Sequence, residues 1–140
     1  MKEYCLRVTN KELFYTAMML HLHRLVNVEY VFPLKENDLR RELNEAKGTL
    51  RRKKLLKENA KGKVLLDAAL TACAALCSEP EDCMVKKSEG YYATAYTAAD
   101  VYMLLERGAE DELTSVWFRD QESMNSYLDE KMSVKDGEQE

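Results

Sequence analysis

The residue types that most often bind metals or carry out catalysis are sparse in this sequence. His21 and His23 are two apart in a predicted helix, so they would point about 200° away from each other and could not bind one metal ion together. Cys73 and Cys77 share a helix face and Cys83 is nearby, but no CxxC pair is present and buried cysteine is common in protein cores. We therefore interpret His21 and the cysteines as packed residues, His23 as a surface residue, and we predict no metal site.

Sequence motifs of catalysis are also missing. The chain has no glycine-rich phosphate loop, no GxSxG and no HExxH. Acidic residues are plentiful, but an acid–base pair needs a proximity that spacing alone does not supply here. We predict that the protein is not an enzyme, that it has no catalytic residues and that it needs no cofactor.

Basic residues are concentrated in the middle of the chain. Residues 40–63 hold ten basic and three acidic side chains, a local charge of +7, which leaves −11 for the rest of a protein whose net charge is −4. A helix followed by a small basic hairpin resembles the wing of a winged helix, which would lie on DNA phosphates. The candidate nucleic-acid contacts are Arg51, Arg52, Lys53 and Lys54, followed by Lys57, Lys61 and Lys63.

Two observations weigh against a nucleic-acid partner. The negative net charge repels nucleic acid at long range, and the helix that would enter the major groove has almost no Asn, Gln or Ser to contact bases. Basic residues at a helix end also interact favourably with the helix dipole, so a solvated helix end explains the same pattern. DNA binding is therefore the alternative hypothesis.

Aromatic residues are concentrated in the second half of the chain. Tyrosines with polar tips are enriched at protein interfaces, although packing in a core explains the same residues. If one face of the predicted sheet binds a partner, the expected contact residues are Tyr92, Tyr96, Tyr102 and Trp117.

The hydrophobic patterns predict an α+β fold: N-terminal helices with a winged-helix-like hairpin, an antiparallel β-meander of about four strands, and a C-terminal helix. Thr9 and Glu12 form a capping box for a helix that should run to about Leu25. A second helix starts at Glu36 or Asn37, and Gly48 could divide it. Asn59 and Gly62 form a turn before a strand over 63–66, and Asp67 caps the next helix.

Four short runs separated by turn residues predict the meander, over 83–87, 91–97, 101–106 and 113–119. Asp120 then caps a last helix that carries Met124, Tyr127, Leu128 and Met132 on one stripe. We predict a single domain over residues 1–132 and a disordered polar tail over 133–140.

The chain has no apolar segment typical of a signal peptide and no stretch of about 18 apolar residues that could span a membrane. Four cysteines without a secretory signal favour reduced thiols. We expect a cytoplasmic protein without membrane association.

Taken in order, these segments resemble the EspG-like secretion-associated proteins of type VII (ESX) systems. The resemblance covers VTNKELFYTAMMLHLHRLVNV, LRRKKLLKENAKGKVLLDAALTACAALCSEP and the strands that end in VWFRD. The positions that match the family pattern are Glu12, Leu13, Leu50, Lys53, Leu55, Leu56, Gly62, Val64, Leu66, Asp67, Pro80 and Trp117.

The resemblance implies a cytosolic chaperone or adaptor that binds a helical secretion substrate and shields its apolar segment. Large members of the family are about twice as long and have two similar halves, so this chain would correspond to one half. The resemblance therefore also implies a homodimer that rebuilds the two-half architecture through the first helix or a strand edge.

Overall fold

The computed structural model describes residues 4–29 and 35–138, and it divides the chain into two compact units. One unit comprises residues 8–79, and the other comprises residues 1–7 together with 80–140. Strand β1 (Tyr4–Thr9) crosses the boundary between them. The single domain over residues 1–132 stays a prediction.

Within its described residues, the unit of residues 8–79 contains three helices and a two-stranded antiparallel hairpin. In chain order these elements are α1 (Asn10–Met19), α2 (Glu36–Arg52), β2 (Leu56–Glu58), β3 (Val64–Leu66) and α3 (Ala68–Ser78). Helix α1 packs against both α2 and α3. The predicted hairpin is confirmed, and α2 continues through Gly48 as one helix.

Helix α1 ends at Met19, six residues before the end that the sequence predicts. The amide of Leu22 donates to the carbonyl of Ala17 at 2.8 Å, while His21 adopts a left-handed φ of 59°. This pair of features is a Schellman ending, which satisfies the last carbonyls of the helix. The prediction that His21 is packed is wrong, because His21 and His23 both follow the helix and are exposed.

The other unit is built on a five-stranded antiparallel sheet with the strand order β1-β7-β6-β5-β4. Its further strands are β4 (Asp82–Ser88), β5 (Tyr91–Ala98), β6 (Val101–Arg107) and β7 (Glu112–Phe118). The predicted four-stranded meander is confirmed. Strand β1 extends it beside β7, where the Ser115 hydroxyl donates to the Leu6 carbonyl at 3.5 Å.

Helix α4 (Gln121–Glu138) packs on one face of this sheet. Asp120 caps it as predicted, since the amide of Ser123 donates to its carboxylate at 2.8 Å. The core under the helix consists of Ala93, Ala95, Leu104, Val116, Phe118, Met124 and Leu128.

Helix α4 continues through residues 133–138, which the sequence analysis assigns to a disordered tail; residues 139 and 140 lie outside the described residues. Across the described ranges 4–29 and 35–138, no helix combines the length and hydropathy needed to cross a membrane.

Candidate functional site

The region around the hairpin β2–β3 carries many charged side chains, and its position is set by the end of α2. The amide of Leu55 donates to the carbonyl of Leu50 at 2.9 Å, and the amide of Lys54 donates to that of Arg51 at 3.0 Å. Lys54 has a left-handed φ of 65°. This is a second Schellman ending, and it directs the chain from α2 straight into β2.

The tip of the hairpin is held by Asn59. Its side-chain oxygen accepts hydrogen bonds from the amides of Lys61 and Lys63, both at 2.9 Å. Gly62 supplies the left-handed turn conformation, with φ of +79°, that residues with a side chain rarely adopt. The two lysines are therefore presented on a preorganised turn.

An ion pair between an exposed lysine and a buried glutamate lies at the base of the hairpin. The Lys53 ammonium lies 2.6 Å from Oε1 of Glu12, whose side chain is only 1% exposed. The same oxygen accepts from the amide of Thr9 at 2.9 Å, which completes the predicted capping box of α1. The ion pair connects the start of α1 to the end of α2, from which the chain continues into the hairpin.

The base of the hairpin is closed by Asp67. Its amide donates to the Leu55 carbonyl at 2.8 Å, and its carboxylate accepts from the amides of Ala69 and Leu70 at 3.0 and 3.3 Å. Asp67 thus ends the hairpin and caps α3, as its position in the sequence predicts. Leu50 and Leu56 are almost completely buried next to these groups.

Two adjoining depressions flank the hairpin and share Lys54 and Lys57. The larger, of about 620 Å³, is lined by Arg51, Lys54, Leu56, Lys57 and Glu58. The smaller, of about 220 Å³, is lined by Lys54, Leu55, Lys57, Leu65, Leu66 and Asp67. We call the two together the hairpin groove.

The hairpin groove combines basic side chains with apolar ones. Leu65 is 50% exposed, whereas its neighbours in the strand, Val64 and Leu66, are partly buried. Lys54 and Lys57 are exposed at the same place. This chemistry fits a ligand that offers both an apolar side chain and a negative charge.

The four basic residues predicted as nucleic-acid contacts do not form one group of equivalent cations. Arg51 and Lys47 both pair with Glu58, the latter at 3.2 Å, and Lys53 pairs with Glu12. Arg52 and Lys54 extend from the exposed surface at the end of α2. The basic run looks uniform in the sequence, but two of its four residues, Arg51 and Lys53, form ion pairs with Glu58 and Glu12.

The four aromatic residues predicted as partner contacts do not form one surface, and the prediction is wrong for Tyr96. Tyr96 is completely buried, so it cannot contact a partner on the surface. Tyr96, Met103 and Trp117 lie opposite one another on one face, whereas Tyr102 lies on the other face and packs against the core under α4. Side chains alternate between faces along a strand, so Tyr96 and Tyr102, on adjacent strands, belong to different surfaces.

The two remaining predicted contacts are half-buried. Trp117 donates its indole N–H to the hydroxyl of Ser115 at 3.2 Å. The Tyr92 ring is covered by the Arg107 guanidinium, which lies 4.0 Å from the ring centre in a cation–π contact. Each ring therefore has an intramolecular partner.

A polar cluster of Tyr91, Glu106 and Tyr127 joins α4 to the sheet. The hydroxyls of Tyr91 and Tyr127 donate to the same carboxylate oxygen of Glu106, at 2.7 and 2.8 Å. Burial, followed by these bonds to Glu106, raises the pKa of both tyrosines above its ordinary value. The arrangement fixes helix against sheet, and its tyrosines stay protonated at neutral pH.

The cysteines and acids offer no metal site among the residues that the structure describes, because no three metal-binding side chains come together there. Cys73 and Cys77 are fully buried, as predicted for core residues, while Cys83 is half-buried and Cys5 is exposed.

Comparisons with protein-family models and with curated proteins found no match to this chain.

Sequence reasoning identified the basic hairpin but missed Leu65 and Glu58 as parts of the groove. A signal for Leu65 is present, because three apolar residues in succession within one strand must place the middle one on the face opposite its neighbours. The neighbouring sequence does not show that Arg51 and Lys47 both pair with Glu58, because that contact depends on how β2 lies against α2.

Proposed function

We propose that this protein is a binding adaptor of chaperone type that holds an apolar helical segment of a client protein in the hairpin groove. The observation that carries the proposal is the exposed Leu65 beside Lys54 and Lys57 on a preorganised hairpin. The resemblance to type VII secretion-associated proteins supports the same class of function and suggests a secretion substrate as the client.

The composition of the groove indicates the kind of segment that it binds. Its larger depression, of about 620 Å³, has room for one or two large side chains, and its smaller depression carries the exposed Leu65. Lys54 and Lys57 favour a segment with Asp or Glu beside those apolar residues, because opposite charges steer association and fix register. The Asn59 turn holds the backbone at the tip of the hairpin, which preorganises the strands beside the groove and so lowers the entropic cost of binding.

The proposal is tested by selecting a phage-displayed library of helical peptides, randomised along one face, against the immobilised protein. We expect enriched peptides that combine large apolar residues with Asp or Glu.

Lys54→Glu with Lys57→Glu should weaken their binding by about tenfold or more, and Leu65→Ser should do the same. The charge-matched control is Arg24→Glu with Arg119→Glu, two exposed positions outside the groove. Enriched peptides without acidic residues, or equal binding to the charge-reversed variant, would overturn the proposal.

DNA binding remains the second candidate, because Arg52, Lys54, Lys57, Lys61 and Lys63 are all exposed along one helix end and hairpin. In that role the hairpin would contact phosphates and α2 would lie in the major groove. Arg40 and Arg41 of α2 instead pair with Glu36 and Asp38, at 3.1 and 3.3 Å, which reduces the charge that this helix offers DNA.

The two functions separate in a mobility-shift assay with random-sequence duplex DNA at low salt. The adaptor function predicts no shift at protein concentrations that saturate the selected peptides. A salt-dependent shift that is lost in the Lys54→Glu, Lys57→Glu variant, together with a failed peptide selection, would replace the first function by the second.

A further inference from the structure

Strand β4 lies at one end of the five-stranded sheet. It pairs with β5 along seven residues, from Asp82 opposite Thr97 to Ser88 opposite Tyr91. Within the described part of the chain, no strand pairs with its other edge. An edge strand of this length presents backbone donors and acceptors that can pair with another strand.

The side chains in the middle of β4 are unusually apolar for such an edge. Met84 is 49% exposed and Val85 is 42% exposed. Because they are consecutive, they point to opposite faces of the sheet. A second strand added at this edge would cover both at once.

We propose that β4 pairs antiparallel with β4 of a second copy of this chain, with Met84 opposite Met84. A two-fold axis perpendicular to the sheet leaves each side chain on the same face in both copies. Side chains of the same face therefore lie opposite each other only when one residue faces its own copy across the axis, and we call the register centred on that residue. Among these, centring on Met84 places Asp82 opposite Lys86 on both sides of the axis, and Cys83 opposite Val85.

Charge complementarity selects this register over its neighbours. A register centred on Val85 places Lys86 opposite Met84 and Asp82 opposite Ser88, so no ion pair forms. One centred on Lys86 places the two lysines against each other, and directly opposed like charges destabilise a sheet. The Met84 register is thus the one that pairs the strand's acidic and basic ends.

Lys86 also affects which strands can pair with β4. Charged residues on an edge strand normally prevent pairing with other chains. Lys86 disfavours pairing with a strand of another protein that has no acidic residue opposite it. A second copy of this chain instead places Asp82 opposite Lys86. The edge therefore discriminates in favour of self-association, and the product is a continuous sheet of twice five strands.

A charge-swap series measured by sedimentation equilibrium tests the interface. Asp82→Lys and Lys86→Asp should each weaken dimerisation by about tenfold, since each removes two ion pairs and opposes like charges. The double variant should recover most of the affinity, because the pairs are restored with reversed sign. A monomer at every concentration, or single variants that dimerise like the wild type, would overturn the proposal.

Disulfide trapping tests the register itself. In a Cys5→Ser, Cys83→Ser background, Met84→Cys should give a covalent dimer on mild oxidation, since its two copies would face each other across the axis. Lys87→Cys is the matched control, because its copies would lie roughly 20 Å apart in this register. Trapping at position 87 but not at 84 would show that another register or surface is used. Peptide binding to the hairpin groove is scored separately, so failure of either proposal leaves the other interpretable.

Discussion

At the level of single residues, Lys54 combines a left-handed backbone with a position in the hairpin groove. It occupies the left-handed position that follows a helix, where glycine is preferred because other residues are strained there. The same lysine lines both depressions of the hairpin groove. If the hairpin groove binds a client as proposed, the Lys54 side chain would serve binding at a cost in stability.

Replacing Lys54 by glycine should therefore stabilise the protein. Relief of the left-handed strain outweighs the extra chain entropy of glycine by roughly 0.5–1 kcal/mol. Denaturant unfolding of the wild type, Lys54→Gly and Lys54→Ala would measure the effect. Lys54→Ala keeps the strain and removes the charge, so it should show no comparable gain. A Lys54→Gly variant less stable than the wild type would contradict this account of the helix end.

At the level of elements, the link between α4 and the sheet depends on a few polar contacts added to an apolar core. Tyr91 on β5 and Tyr127 on α4 share the Glu106 carboxylate of β6, and the Tyr127 ring lies 5.2 Å from that of Phe118. Hydroxyl donors to a charged acceptor make strong hydrogen bonds, so these contacts orient the helix on the sheet.

Because the pKa of both tyrosines is raised in the folded protein, their contribution to stability should depend on pH at the alkaline end. It is fully present below the unfolded tyrosine pKa of about 10, and it is lost as the pH rises above that value, because the unfolded chain then releases protons that the folded chain retains.

The variant Tyr91→Phe, Tyr127→Phe isolates this effect. It should be about 1–3 kcal/mol less stable than the wild type at neutral pH, from the loss of two hydrogen bonds. The difference should shrink as the pH rises past about 10. Urea unfolding at a series of pH values measures it, and a difference that is constant with pH would refute the proposed cause.

At the level of the whole molecule, the burial of the four thiols reports on the fold. Cys5 is exposed and Cys83 is half-buried, while Cys73 and Cys77 are completely buried. Burial, with a smaller contribution from Asp82, raises the pKa of the Cys83 thiol and so lowers its content of reactive thiolate.

Titration with a thiol reagent at neutral pH should therefore proceed in three phases. Cys5 should react fast and Cys83 more slowly, whereas Cys73 and Cys77 should react only when the protein unfolds or opens. Cys5→Ser should remove the fast phase and leave the others unchanged. Reaction of more than two thiols in the native protein would show that the helix α3 is not packed as described.

The sequence by itself determined the features that depend on neighbouring residues. The caps at Thr9, Asp67 and Asp120 were predictable because a capping side chain bonds to amides two or three positions away. The four strands of the meander were predictable because each run of β-forming residues is bounded by a turn. The basic hairpin was predictable from Asn59, Gly62 and the charges around them.

The tertiary structure alone decided what depends on residues far apart in the chain. It placed β1 beside β7, buried Tyr96 and put Tyr102 on the opposite face from Trp117. It also paired Lys53 with Glu12 across 41 positions. Composition and spacing do not encode which face of a strand is covered or which of several similar cations meets an acid. Those outcomes depend on packing, so the groove became visible only in three dimensions.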